Sequence, residues 1–167
     1  RNPQLYEFDK ASSLYNIGSL YMKLDRYDEA ITYVQKALEI EERLVEGSPE
    51  VYEYLYSYSN TLETLSHLYY IQDDYSKAEQ LCQTAISNIE GLVKKNQKGF
   101  EKSYADILVH LSSVHQRLGE YDDADDEIHR ALDIFQKLAI KFVGKYEEDI
   151  VYALIVIADN YCQRSQY

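Results

Sequence analysis

Residues 14–38 read LYNIGSLYMKLDRYDEAITYVQKAL, and their spacing decides the fold. Leu14, Ile17, Gly18 and Tyr21 stand at i, i+3, i+4 and i+7, one face of a helix. After the turn residues around Asp25, a second periodic run begins at Tyr27 and continues through Ala30, Val34 and Ala37.

The same spacing returns along the chain. Leu62-Leu65-Ser66-Tyr69, Leu108-Leu111-Ser112-His115 and Leu154-Ile157-Ala158-Tyr161 repeat the first set, and Tyr75, Tyr121 and Tyr167 repeat Tyr27. Ala78, Cys82 and Ala85, then Ala124, Ile128 and Ala131, repeat the second run. Self-similarity of this kind marks a solenoid, whose units bury their apolar faces only by stacking and which usually works by presenting surface to a partner. The motif resembles the tetratricopeptide repeat family, whose pattern is W-x2-L-G-x2-Y followed by A-x3-F and a closing proline. Leucine stands at every tryptophan slot, Gly18 is the one glycine at its slot, His115 replaces a tyrosine, and the closing proline is not kept. The resemblance implies an all-α right-handed superhelix of antiparallel helix pairs that binds protein or peptide.

From Tyr27 to Tyr75 is 48 residues, and the next two steps are 46 each, against about 34 in the standard repeat. The extra residues lengthen the helices. Four and eight positions upstream of each motif stand Tyr6/Lys10, Tyr54/Tyr58, Phe100/Tyr104 and Tyr146/Ile150, nearly all apolar or aromatic. Each first helix is therefore expected to run roughly 20 residues, about 30 Å. Gly47-Ser48-Pro49, the stretch from Asn96 to Gly99, and Gly144 supply the turns, with Asn2-Pro3 and Ser48-Pro49 reading as an N-cap followed by proline at the first helical position. The alternating Val51–Tyr58 stretch would read alone as a strand, but the repeat spacing makes it a helix buried on two sides. One domain is expected, with repeats at about 3–47, 49–95 and 99–143 and a half repeat at 146–167. Long repeats of this kind resemble those in the sensor arms of bacterial signalling ATPases and, more loosely, kinesin light chains.

Composition fits this reading. The 167 residues hold only 2 prolines and 6 glycines. The apolar stretch around Val151–Ala158 is far too short to span a membrane, and no secretory signal is visible. The chain starts at Arg1 rather than methionine, which reads as a fragment or trimmed product. Cys82 occupies a core slot and Cys162 lies two repeats away, so no disulfide or C-x-x-C metal site is expected and a cytoplasmic location is favoured. Seventeen basic against 29 acidic residues give a net charge of −12, which disfavours nucleic acid and permits a basic partner.

No pattern that carries catalysis or a cofactor is present: no phosphate loop, no G-x-S-x-G and no H-E-x-x-H. Asp122–Glu127 is acidic but lacks the glycine and spacing of a calcium loop, and reads as a helix N-terminus favoured by the dipole. His115 reads as a core residue and His129 as a surface one.

The face beside the core stripe of each first helix is expected to line the inner, concave side of the superhelix. Its candidate contacts are Phe8, Tyr15 and Met22 in the first repeat, and Tyr52, Tyr56, Glu63, His67 and Tyr70 in the second. The third contributes Lys102, Val109 and Arg117, with Lys98 at the head of its stripe; the fourth contributes Tyr152 and Ile155. Glu63, Asp106, Glu148 and Asp159 place carboxylates among them and lean toward a cationic partner. Chaperone-binding members of the family clamp a terminal carboxylate with basic and amide residues; Glu63 at such a slot would repel it. The fourth copy ends before its second helix, leaving Leu154, Ile157, Ala158 and Tyr161 to a continuing repeat or to end-to-end self-association. The leading expectation is a non-enzymatic protein- or peptide-binding scaffold; the alternative is a sensor arm gating an effector domain outside this stretch.

Overall fold

The computed structural model describes residues 3–94 and 99–165, so the expectations that fall on Asn2, Asn96, Lys98 and Tyr167 lie outside the described residues. Among the described residues the chain forms helices and no strands. These are α1 (Pro3–Lys23), α2 (Tyr27–Gly47), α3 (Tyr52–Ile71), α4 (Tyr75–Lys94), α5 (Glu101–Leu118), α6 (Tyr121–Lys141) and α7 (Glu147–Arg164). The paired helices α1 and α2 have 21 residues each, as the long period requires. The alternating stretch after Val51 is helical, with Tyr54 packed beside Ala11, Ile40 and Leu44.

The fold divides into two compact units, Arg1–Ile89 and Glu90–Tyr167. In the first, α1 pairs with α2 and α3 packs on α2; in the second, α5 pairs with α6 and α7 packs on α6. The first core centres on Ala30, Val34, Leu65 and Leu68, with Tyr21, Met22, Tyr27 and Leu81 against it. In the second, Leu108, Ile128, Ala131 and Phe135 are buried. Each such large apolar side chain contributes roughly 1.5–3 kcal/mol by leaving water.

The small-residue slot shows why the repeats tolerate different residues there. A Cβ on Gly18 would stand 2.6 Å from Cγ2 of Val34 and 3.2 Å from the Ala30 carbonyl, so α1 and α2 approach as closely as glycine allows. In the next two repeats the slot holds serine, whose hydroxyl donates to the corresponding alanine carbonyl: Ser66 to Ala78 and Ser112 to Ala124, both at 2.7 Å. The turns between paired helices each need one left-handed residue. Asp25 (φ 56°), Asp73 (φ 61°) and Gly119 (φ 82°) supply it. The recurring tyrosine fastens the first two turns: the Tyr27 hydroxyl donates to Asp25 at 2.8 Å, and Tyr75 donates to Asp73.

Two expectations are corrected. Ser48-Pro49 does not start α3: the Ser48 N–H donates to the Leu44 carbonyl and closes α2, and α3 begins at Tyr52. The residue before a proline is pushed out of the helical region, and Ser48 accordingly has φ −153° and ψ 65°. The upstream stripe holds for Tyr104 and Tyr146, which are buried, but Tyr6 and Lys10 are exposed. On α7 the buried face is Ala153, Val156 and Asn160, with the Gln116 amide donating to the Val156 carbonyl and the Asn160 amide to that of Tyr121. Leu154 and Tyr161 are left half-exposed.

Candidate functional site

In the first unit, the side of α3 turned toward α1 carries Glu63, Thr64 and His67, and with Met22 of α1 they line a cleft of about 270 Å³. Helical spacing brings Glu63 and His67 onto one stripe, and the paired packing of α1 aligns Met22 with them. Met22 also packs against the Ala30–Leu68 core, so its thioether is held from behind. The Tyr15 hydroxyl and the Thr64 hydroxyl are hydrogen-bonded at 3.0 Å, tying α1 to α3 at the cleft. At the C-terminal end of α3, the His67 and Tyr70 rings stack at 6.3 Å, and Tyr70 meets Tyr75 edge-on at 5.4 Å. The cleft thus offers a polarizable apolar surface, one carboxylate, an imidazole and a hydroxyl in a small volume. That combination suits a short peptide side chain rather than a metal or a reacting group.

The structure brings Met22, Glu63 and His67 together with Tyr15 beside them. Phe8 lies elsewhere: its ring packs on Tyr54 at 5.0 Å and belongs to the Ala11–Ile40–Leu44 core. Tyr52 is exposed at the start of α3, and Tyr56 is half-buried one turn on. Thr64 was missed because it stands one residue off the selected stripe; a face only one residue wide is narrower than a cleft between two helices.

In the second unit the candidate residues have separate environments. Lys102 pairs with Asp106 at 2.8 Å along α5 and with Asp149 of α7 at 3.2 Å, so its charge is spent joining helices. Burial lowers the affinity of the Lys102 amine for its proton, but the two carboxylates prevail and hold its pKa above the ordinary lysine value. Burial pushes the Asp106 carboxyl up, against Lys102 and with help from Asp149. Asp106 is therefore not an open acidic contact. Val109 is buried, 6 % exposed, which corrects its placement on an open face: it presents no surface to a partner. Arg117, Tyr152 and Ile155 are exposed.

His115 occupies its tyrosine slot as a core residue, its Nδ1 at 2.8 Å from the Glu127 carboxylate. Burial pushes the Glu127 carboxyl up, and His115 opposes that shift. His129 is a surface residue of α6. Among the described residues, no helix is long and apolar enough to cross a membrane.

A tetratricopeptide repeat profile matches residues 9–91, the stretch that contains this cleft. With the helix pairing and the repeated glycine-or-serine slot, this makes the chain a tetratricopeptide repeat protein. Solved structures carry the likeness of fold beyond the matched stretch. BtubC (BKLC) from P. vanneervenii aligns with a TM-score of 0.73 at 19 % identity, over 93 % of this chain and 56 % of that one. The apo form of RapI aligns with a TM-score of 0.75 at 17 % identity, over 96 % and 39 %. The first TPR of Spaghetti (RPAP3), bound to the HSP90 peptide SRMEEVD, aligns with a TM-score of 0.57 at 16 % identity, over 94 % of each chain. The chain thus spans 56 % of BtubC and 39 % of RapI. No curated protein matches it by sequence.

Proposed function

We propose that the chain is a peptide-binding scaffold whose recognition site is the α1–α3 cleft. The observation that carries this is the convergence of Met22, Glu63, Thr64 and His67 on one cleft built from the inner faces of two successive repeats. In this reading the cleft takes an apolar side chain against Met22, and Glu63 selects a neighbouring lysine or arginine. The peptide bound by the RPAP3 repeat, SRMEEVD, ends in acidic residues. A cleft with Glu63 at its wall favours the opposite charge, so the shared fold does not carry over that ligand. The scaffold is non-enzymatic and works in the cytoplasm as one repeat domain, with protein rather than nucleic acid as its partner, consistent with the charge of −12.

Selection of a displayed library of random dodecamers on the purified chain tests the site. The enriched peptides are expected to include a set that carries an apolar residue next to lysine or arginine and loses affinity for a Glu63→Lys/His67→Trp double variant. Enrichment of acidic C-termini, or the absence of any enriched peptide that is sensitive to the double variant, overturns the assignment.

A further inference from the structure

A second cleft of the first unit lies on the far side of α3, between α2 and α4, with a volume of about 480 Å³. Its floor is apolar: Leu38 of α2 and Leu81 of α4 are partly buried there, backed by the buried Leu62 and Leu65 of α3. Tyr58 stands in its wall, Glu42 of α2 at one side and Lys77 of α4 at the other. At 100° per residue, the stripe of Tyr58, Leu62 and Leu65 is well separated on α3 from that of Glu63 and His67, so the two clefts open in different directions.

The charges around this cleft are not balanced. Lys77 is matched by Asp74, the residue before α4, at 2.6 Å, and its ammonium stands 5.0 Å from the centre of the Tyr69 ring. Among the described residues, no ion pair engages Glu42 or the nearby Glu46. Glu46 lies in the last turn of α2, which holds no basic residue; Glu42 stands one turn earlier, and Arg43 between them turns back to donate to the Glu39 carbonyl. Carboxylates are unfavourable at this end of α2, because the carbonyl end of a helix dipole is negative and stabilises cations. Their field reaches the cleft wall: the Tyr58 phenol is held above its ordinary pKa by burial first, then by Glu42, Glu41 and Glu46. A leucine-floored cleft beside uncompensated carboxylates at a helix C-terminus is complementary to an apolar side chain next to a cation.

We propose that the α2–α4 cleft is a second docking site, and that it takes a peptide segment of a partner protein carrying a large aliphatic or aromatic residue beside lysine or arginine. The apolar residue seats on Leu38 and Leu81, and the cation meets Glu42 and Glu46 toward the end of α2. Two sites on different sides of α3 would let the scaffold hold two segments at once, and occupation of this one does not require the α1–α3 cleft.

The experiment uses the Glu63→Lys/His67→Trp chain, in which the inner cleft is blocked, as bait for a displayed library of random dodecamers. The expected result is enrichment of peptides with an apolar residue next to lysine or arginine. Their affinity falls at least about tenfold when Thr84→Trp fills the cleft from its exposed rim, and again when Glu42→Lys/Glu46→Lys reverses its charge. These positions are on the surface, and an unchanged circular-dichroism melt certifies the fold of each variant. No enrichment on the blocked bait overturns the proposal, as does binding that survives both sets of substitutions. Enriched peptides without a cation, or light scattering that shows a second copy of the chain competing for the cleft, also overturn it. None of these results bears on the inner cleft, which the unblocked chain tests separately.

Discussion

The hydroxyls of Tyr15 and Thr64, 49 positions apart in sequence, meet at 3.0 Å and join the first helices of two successive repeats. This bond fixes the separation of α1 and α3 at the cleft that Met22, Glu63 and His67 share with Thr64. Removing either hydroxyl is expected to cost about 0.5–1.5 kcal/mol. A double-mutant cycle with Tyr15→Phe and Thr64→Val, measured by urea denaturation, should show the two losses to be non-additive. Additive losses would mean that the hydroxyls act independently.

The approach of α1 to α2 at Gly18 predicts an asymmetry between repeats. Gly18→Ser places a side chain 2.6 Å from Cγ2 of Val34 and should destabilise by about 1–3 kcal/mol, although serine is the native residue of that slot in the next two repeats. Ser66→Ala and Ser112→Ala should each cost about 1 kcal/mol through the lost bond to the alanine carbonyl. Thermal melts of the three variants check this. A neutral Gly18→Ser would show that α1 can move away from α2.

Glu41 gives the first unit a signature in pH. It is fully buried between α2 and α3, where one carboxyl oxygen accepts from Ser57 and the other has no hydrogen-bond partner. Burial pushes its pKa up, partly offset by the hydroxyls of Ser57 and Thr61. A carboxyl whose folded pKa lies above its unfolded value favours the fold most when protonated. Its contribution is complete below the unfolded pKa and is lost as pH rises through the folded pKa. Glu41→Gln should therefore gain stability relative to the native chain as pH rises from acid to neutral, by about 1–3 kcal/mol at the upper end. A stability difference that is constant with pH would show that burial leaves the Glu41 pKa at its unfolded value.

Lys102 ties α7 to α5 through Asp149 while pairing with Asp106. All three side chains retain substantial exposure, so Lys102→Met should cost no more than about 1 kcal/mol in low salt, and less at high ionic strength. Denaturation at two salt concentrations reads this out. A large, salt-insensitive loss would mean that the lysine stem packs rather than pairs.

Much of this was legible in the spacing of Leu14 to Leu38 and its copies, because helix pairing forces small and large residues into fixed slots. The helix lengths followed from the period. The candidate face was legible in part: the stripe held Met22, Glu63 and His67, yet it also gathered Phe8, which packs on Tyr54 and is partly buried, and Val109, which is buried. A single-helix stripe records direction but not what the next helix covers. The pairing of Lys102 was hidden for the same reason, since Asp149 lies 47 positions away on another helix. The α2–α4 cleft was missed because its lining comes from three helices and mixes core and surface positions, and no one-helix pattern marks the gap left between them.

The most direct test of the account is a charge exchange at Glu63. A basic peptide enriched on the native chain but not on the Glu63→Lys/His67→Trp chain is labelled, and its affinity is measured by fluorescence anisotropy against the native chain and Glu63→Lys, each with the peptide's lysine or arginine intact or replaced by glutamate. The account predicts a loss of at least about tenfold when either charge alone is reversed, and substantial recovery when both are. Equal affinity in all four combinations would contradict recognition at the α1–α3 cleft.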